Sequence, residues 1–147
     1  LFLPPAAMDA GDDRVCGWIV TGLTGAGKST VVNSLLAKLP ADAAVAVCVH
    51  HHAKAFMLET TPLQVDQPGV VHFSEVFDFG SGCLCCSPDG DLTRQLAQLA
   101  TRKLSGERVT HLIVETTGLA DPNPFIDLFG TEEVISSNFR LAGVLAV

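Results

Sequence analysis

Apolar residues in this chain fall into short continuous runs separated by segments with a helical period. Four runs, at residues 16–21, 43–49, 109–114 and 141–147, contain few polar side chains, and residues 70–79 form a fifth, more mixed run. Strands without strict polar alternation are typical of parallel sheets that are covered on both faces. The runs therefore predict five strands of a buried sheet.

Three segments between these runs predict helices. Residues 28–39 and 88–104 place apolar side chains at helical spacing, and residues 122–129 form a shorter candidate that begins with proline. Residues 53–69 show no clear period and are interpreted as a loop, or as a short helix and a loop. Strands that alternate with helices predict an α/β fold, with a mostly parallel sheet flanked by helices on both faces.

The two ends of the chain carry further expectations. No basic residue precedes Arg14, so the segment lacks the charged start of a signal peptide and is interpreted as a disordered leader over residues 1–14. The last apolar run reaches the final residue, and domains seldom end inside a buried strand. We therefore assign residues 15–147 to one domain and expect it to be truncated at its C-terminus.

Composition narrows the class of protein. With 147 residues, 48% of them apolar and 17% charged, the chain is long enough for one domain with a real core. The net charge of −7 and the lack of a Lys/Arg run argue against binding to nucleic acid or to an anionic membrane. No apolar stretch approaches the roughly 20 residues that span a bilayer. We expect a soluble intracellular protein, cytoplasmic in the first instance, with a plastid as the alternative.

The strongest motif follows the first strand. Residues 22–29 read GLTGAGKS, which satisfies the phosphate-loop pattern G-x-x-x-x-G-K-[S/T] between a strand and a helix. Backbone N–H groups of such a loop surround phosphates, Lys28 would reach the β- and γ-phosphates, and Ser29 would bind Mg²⁺. The predicted nucleotide-binding residues are Gly22, Gly25, Ala26, Gly27, Lys28, Ser29 and Thr30. The alternative is a glycine-rich turn without a ligand, and the motif does not specify the base.

A cysteine cluster is the second dense feature. Residues 82–86 read GCLCC, and Cys83, Cys85 and Cys86 have spacings that allow two thiolates to chelate one soft ion such as Zn²⁺ or Cu(I). A redox-sensing pair and simple core packing are the alternatives. Three cysteines within four positions do not resemble a secreted disulfide framework, which favours a reducing compartment. Cys16 and Cys48 lie within apolar runs and are expected to be core residues.

Three histidines follow the second strand. His50, His51 and His52 would lie at the carboxyl end of that strand, on the edge of the sheet where open α/β folds bind ligands. Imidazole suits Zn²⁺, so His51 is a candidate ligand that could complete the cysteine site. A solvated polar turn explains the run equally well. His72 and His111 are expected to be structural.

An acidic residue closes the fourth strand. Glu115 is followed by Thr-Thr-Gly, and a carboxylate there can hold Mg²⁺ through water or orient the attacking water. Gly118 would let the backbone approach the γ-phosphate. Glu115 and Lys28 are the predicted catalytic residues, and a capped turn with an exposed Glu is the alternative for this segment.

These three elements, in this order, resemble the CobW-type family of metal-chaperone P-loop GTPases. The resemblance rests on GLTGAGKS at 22–29, GCLCC at 82–86 and ETTGLADP at 115–122, and it spans roughly residues 15–147. It implies a P-loop NTPase fold, GTP with Mg²⁺, and a transferred Zn²⁺ or Co²⁺ bound by the three clustered cysteines. The sequence departs from the family where His50–Lys54 replaces a segment with two carboxylates. The guanine-reading segment and the C-terminal domain of the family would follow residue 147.

The leading hypothesis is a GTP-hydrolysing metal chaperone that delivers its ion to a client metalloprotein, with a homodimer as one option. A phosphotransferase that acts on a small molecule and carries a structural zinc is the second hypothesis. A metal- or redox-sensing module without enzymatic activity is the third.

Overall fold

The computed structural model describes residues 11–40, 43–51, 70–72, 77–78, 91–116, 118 and 121–147. In chain order the described strands are β1 (Val15–Thr21), β2 (Val45–His51), β3 (Val70–His72), β4 (Phe77–Asp78), β5 (His111–Glu115) and β6 (Phe139–Ala146). The described helices are α1 (Lys28–Leu36), α2 (Asp91–Leu104), α3 (Asn123–Thr131) and α4 (Glu133–Asn138).

The described strands form one sheet in which every pairing is parallel. Its order is β3-β2-β5-β1-β6, and β4 also pairs with β2. In the β1–β5 ladder Val20 lies opposite Glu115, and in the β1–β6 ladder Thr21 lies opposite Ala146. The carboxyl ends of β5, β1 and β6 therefore meet at one edge of the sheet, as the sequence predicted for a parallel α/β fold.

Helices cover both faces of this sheet. Val45 and Val47 pack on the face that carries α1, whereas Ala46 and Cys48 pack on the face that carries α2, α3 and α4. Because successive strand residues point to opposite faces, each apolar run supplies both cores at once. Burial of each large aliphatic side chain contributes about 1.5–3 kcal/mol, so the continuous runs stabilise both layers.

Three regions of the fold differ most from the predictions. Helix α1 ends at Leu36, because the chain then tightens into i→i+3 turns, with the N–H of Lys38 bonded to the carbonyl of Leu35 at 3.0 Å. Pro40 prevents any further helix. Within the run at 70–79, β3 and β4 are separate short strands. Helix α4 was not predicted, since six residues of mixed polarity give no periodic signal.

The expectation that residues 141–147 form a buried strand is wrong, because four of these seven residues are exposed and the other three are only partly buried. From Leu141 onward, partly buried and exposed residues alternate, and Val144 is 38% exposed. The physical reason is position, since β6 ends the strand order and pairs only with β1 among the described strands. At Gly143 of this strand an added Cβ would lie 2.7 Å from Cζ3 of Trp18, so the indole packs directly on this glycine.

The amino end of β1 is fixed by charged groups. Asp12 Oδ1 accepts a hydrogen bond from Arg14 Nε at 2.9 Å, and Arg140 Nε lies 3.6 Å from Asp12 Oδ2. Arg14 Nη1 also donates to the carbonyl of Ser136, 3.4 Å away. These contacts join residues 12–14 to the end of α4 and the start of β6. Of the leader predicted for residues 1–14, residues 1–10 lie outside the described residues.

The helices of the described residues are short. The longest described helix, α2, has 14 residues, and no described helix combines the length and the apolar character needed to cross a membrane.

Candidate functional site

The predicted phosphate loop connects β1 to α1 at the carboxyl edge of the sheet. Gly22, Gly25 and Gly27 have φ angles of 140°, 80° and 95°. These conformations strain any residue with a Cβ, so the glycines are needed for the path of the loop. Gly27 precedes α1, and its carbonyl accepts the first helical hydrogen bond, from the N–H of Val31 at 2.9 Å. The loop therefore ends at the N-terminus of α1, where backbone N–H groups can bind an anion.

Lys28 lies inside this loop. The residue is only 3% exposed, and its Nζ donates a hydrogen bond to the carbonyl of Leu23 at 3.0 Å. This hydrogen bond holds the ammonium between the two ends of the loop, where it could contact a bound phosphate. Ala26 is exposed at the tip, and its N–H donates to the same carbonyl of Leu23 at 3.1 Å. Thr30 is exposed on the first turn of α1.

Ser29 and Glu115 are brought together although they are 86 positions apart in the chain. The Ser29 hydroxyl donates a hydrogen bond to Glu115 Oε1 at 2.8 Å, and Glu115 is 1% exposed. Adjacent pairing of β1 with β5 places the carboxylate beside the start of α1. A hydroxyl and a carboxylate are the oxygen ligands that Mg²⁺ prefers, so the donor set fits this cation. The alternative of an exposed Glu in a capped turn is wrong, because the carboxylate is buried.

Gly118 lies directly on the phosphate loop. A Cβ at this position would lie 2.6 Å from the carbonyl carbon of Leu23 and 2.7 Å from Thr24 Oγ1, and closer still to the backbone N of Thr24. Only glycine permits this approach. Gly118 therefore contacts the phosphate loop, and its approach to a γ-phosphate stays a prediction.

Two threonines at this edge were not assigned from the sequence. Thr116 is 1% exposed, and its N–H and hydroxyl both donate to the carbonyl of Val20, at 2.9 and 3.4 Å, which holds the end of β5 against β1. Thr24 contacts Gly118 as described above. The loop pattern leaves position 24 free, so no signal in the motif singles it out. The residue after Glu115 carries no pattern either.

The residues predicted to bind zinc lie largely outside the described part of the chain. Cys83, Cys85 and Cys86 are outside it, and of His51 the structure describes the backbone, at the last residue of β2 and paired with Asp78. Among the described residues, no three His, Cys, Asp or Glu side chains form a group that could hold a metal ion.

The two isolated cysteines and His111 follow their structural predictions. Cys16 and Cys48 are buried with free thiols, and burial raises the pKa of Cys48 from its ordinary 9.0 to about 12. A thiol with so high a pKa stays protonated and inert near neutral pH. His111 is 4% exposed, and its Nδ1 lies 2.9 Å from the hydroxyl of Thr110 at the amino end of β5. His72 is in β3.

Comparison with known proteins places this site in a family. Residues 17–147 match the model of the CobW/HypB/UreG nucleotide-binding domain. The chain is 30% identical over 129 residues to the zinc-regulated GTPase metalloprotein activator 1 of Saccharomyces cerevisiae, covering 88% of this chain and 29% of that protein. It is 29% identical over 133 residues to the zinc chaperone YjiA of Escherichia coli, covering 88% of this chain and 38% of that protein.

A solved structure confirms the fold. The crystal structure of the Zn(II)-bound YjiA GTPase from E. coli superposes with a TM-score of 0.57 at 24% identity, covering 90% of this chain and 40% of that one. The chain thus spans about a third of the length of these curated relatives. The matched region contains the phosphate loop, Glu115 and Gly118. This chain belongs to the CobW/HypB/UreG family of nucleotide-binding domains.

Proposed function

We propose that this chain forms the nucleotide-binding part of a GTP-hydrolysing metal chaperone. The observation that carries the proposal is the convergence of Lys28, Ser29 and Glu115 at one glycine-rich loop, with the Ser29 hydroxyl 2.8 Å from Glu115. Family membership supports nucleotide binding, and two relatives whose names describe GTPases support guanine as the base.

Each residue has a separate task in this proposal. The glycines expose loop N–H groups to the phosphates, and Lys28 neutralises charge on the β- and γ-phosphates. Ser29 and Glu115 hold Mg²⁺, which supplies positive charge to the phosphate oxygens when it is bound. Because Glu115 is buried and bonded to Ser29, its contacts favour holding the cation over orienting the attacking water.

The cargo of the proposed chaperone is Zn²⁺, with Co²⁺ as the alternative. Thiolates of Cys83, Cys85 and Cys86 suit Zn²⁺, and His51 is a further candidate ligand. The names of the relatives from yeast and E. coli refer to zinc, which supports this choice. Val49 pairs with Glu115, so the backbone of His51 lies two positions beyond the nucleotide site on the neighbouring strand. This proximity supports coupling between nucleotide state and metal affinity.

The proposed cycle links hydrolysis to metal release. With GTP bound, contacts to the γ-phosphate would order the segments after β2 and β5 and assemble the thiolate site. Loss of the γ-phosphate would relax these segments and pass the ion to a client metalloprotein. A homodimer that shares the metal is part of the same proposal.

The test is a Zn²⁺ titration against a chromophoric chelator under reducing conditions, with a Mg²⁺–GTP analogue, with GDP and without nucleotide. We expect one stoichiometric site whose affinity differs at least about tenfold between the two nucleotides, which corresponds to about 1.4 kcal/mol of coupling. Zinc affinity that ignores the nucleotide would refute the chaperone and make the zinc structural. Transfer of phosphate to an acceptor other than water would indicate a phosphotransferase.

Two variants separate the proposed roles. Lys28→Ala is expected to abolish nucleotide binding, and Cys85→Ser to weaken zinc binding while nucleotide affinity stays nearly intact. Lys38→Ala, which removes an exposed lysine beyond the end of α1, is the matched control for charge. Equal loss of both activities in the first two variants would contradict the separation.

A further inference from the structure

Thr24 occupies the junction between the phosphate loop and the turn after β5. Its backbone N and its Oγ1 are both among the atoms nearest to a Cβ placed on Gly118. The residue is exposed, so its hydroxyl is accessible to a bound ligand. A polar group is thus available at the point where two segments of the site touch.

The position of this hydroxyl within the loop indicates which phosphate it faces. The N-terminus of α1, after Gly27, is the place for the inner phosphates, since its N–H groups are oriented toward the loop. Thr24 lies at the other side of the loop, next to Leu23. The carbonyl of Leu23 accepts the hydrogen bond from the ammonium of Lys28. It also touches the glycine turn that follows Glu115, and that turn belongs to the side of the terminal phosphate in the proposed function.

We infer that Thr24 distinguishes triphosphate from diphosphate, by donating its hydroxyl hydrogen bond to an oxygen of the terminal phosphate. This inference rests on the proposed function. Leu23 and Ala26, the other non-glycine residues of the loop before Lys28, carry apolar side chains and cannot act in this way. The hydroxyl adds one hydrogen bond that forms with GTP and is absent with GDP.

The experiment compares Thr24→Val with Thr24→Ser. Dissociation constants are measured by calorimetry for a non-hydrolysable GTP analogue and for GDP, both with Mg²⁺. Thr24→Val keeps the shape and removes the hydroxyl, so we expect its affinity for the analogue to fall about 3- to 10-fold while its affinity for GDP stays within twofold. Thr24→Ser keeps the hydroxyl, so the ratio of its two dissociation constants should equal the wild-type ratio.

Controls separate this inference from its foundation. Thr101→Val removes an exposed threonine hydroxyl on α2 and should leave both constants unchanged. Equal weakening of both nucleotides in Thr24→Val, or no change in either, would overturn the role of Thr24 while the proposed function stands. Wild-type protein that binds neither nucleotide would instead refute the proposed function. Circular dichroism of each variant verifies that the loop change leaves the fold intact.

Discussion

The two ends of β1 carry polar contacts of nearly the same length in very different surroundings. At the carboxyl end the Ser29–Glu115 hydrogen bond is 2.8 Å long, and Glu115 is 1% exposed. At the amino end the Arg14–Asp12 ion pair is 2.9 Å long, and the Arg14 side chain is 44% exposed. Distance alone does not distinguish the two contacts, whereas burial does.

Burial changes what each contact does for the protein. Water screens the exposed ion pair, so it stabilises the fold only slightly. A buried carboxylate and a buried ammonium have lost their hydration, and this loss opposes folding unless their partners replace it. Burial of Lys28 and Glu115 therefore costs stability. Proteins accept such a cost mainly at functional sites. In the proposed function the carboxyl end of β1 is the functional end, and its amino end has only structural contacts.

The largest effect is expected from removing the buried charge. In Glu115→Gln the amide oxygen can still accept the Ser29 hydrogen bond, but the negative charge that would hold Mg²⁺ is lost. We expect GTP hydrolysis to fall about 100-fold or more, while the midpoint of thermal unfolding moves by no more than about 3 °C. Release of inorganic phosphate and differential scanning calorimetry measure the two quantities.

The matched control is Glu107→Gln, which removes a carboxylate from the exposed ion pair with Arg102. It should leave hydrolysis unchanged. If Glu115→Gln keeps a third or more of the wild-type rate of hydrolysis, the buried contact between Ser29 and Glu115 is not needed for function.

A smaller effect is expected from the buried thiol of Cys48. Its pKa is about 12 in the folded protein against an ordinary 9.0, because burial disfavours the thiolate. The free energy of unfolding is therefore unaffected below pH 9 and falls as the pH rises from 9 toward 12. At pH 10 the loss from this group is about 1.4 kcal/mol. Urea unfolding at pH 8 and pH 10 under reducing conditions measures it, and Cys48→Ala should show the smaller difference. Identical differences in the two proteins would disprove the assignment.

The smallest effect is expected at the amino end. The hydrogen bond from the Arg14 guanidinium holds the pKa of Asp12 at about 2, below its ordinary 3.8. The contribution of the ionised Asp12 to the free energy of unfolding is thus complete above pH 4 and disappears as the pH falls from 3.8 to 2. Because the pair is exposed, Asp12→Asn should lower the midpoint of thermal unfolding at pH 7 by about 2 °C or less, with no change in nucleotide affinity. A loss of nucleotide affinity in Asp12→Asn would show that the amino end of β1 also affects the nucleotide site, which contradicts the distinction between the two ends.

The sequence predicted the components of the site better than their contacts. The continuous apolar runs determine the parallel sheet, and the loop motif determines Lys28 and Ser29, because both are local patterns. The Ser29–Glu115 bond depends on β1 lying next to β5, and strand order is a property of the whole sheet. Burial of Glu115 follows from the same adjacency. Helix α4 and the separate β3 and β4 were beyond prediction because such short elements depend on their tertiary neighbours.

The packing of Trp18 on Gly143 gives the protein an internal optical reporter. Trp18 is the only tryptophan, and the chain contains no tyrosine, so near-ultraviolet emission comes from this one indole. It lies in β1, between the structural and the functional ends, and its partner Gly143 belongs to the strand beside the loop. A shift in its emission wavelength therefore records rearrangement of β1 itself, and ligand binding and denaturation can both be followed without any attached dye.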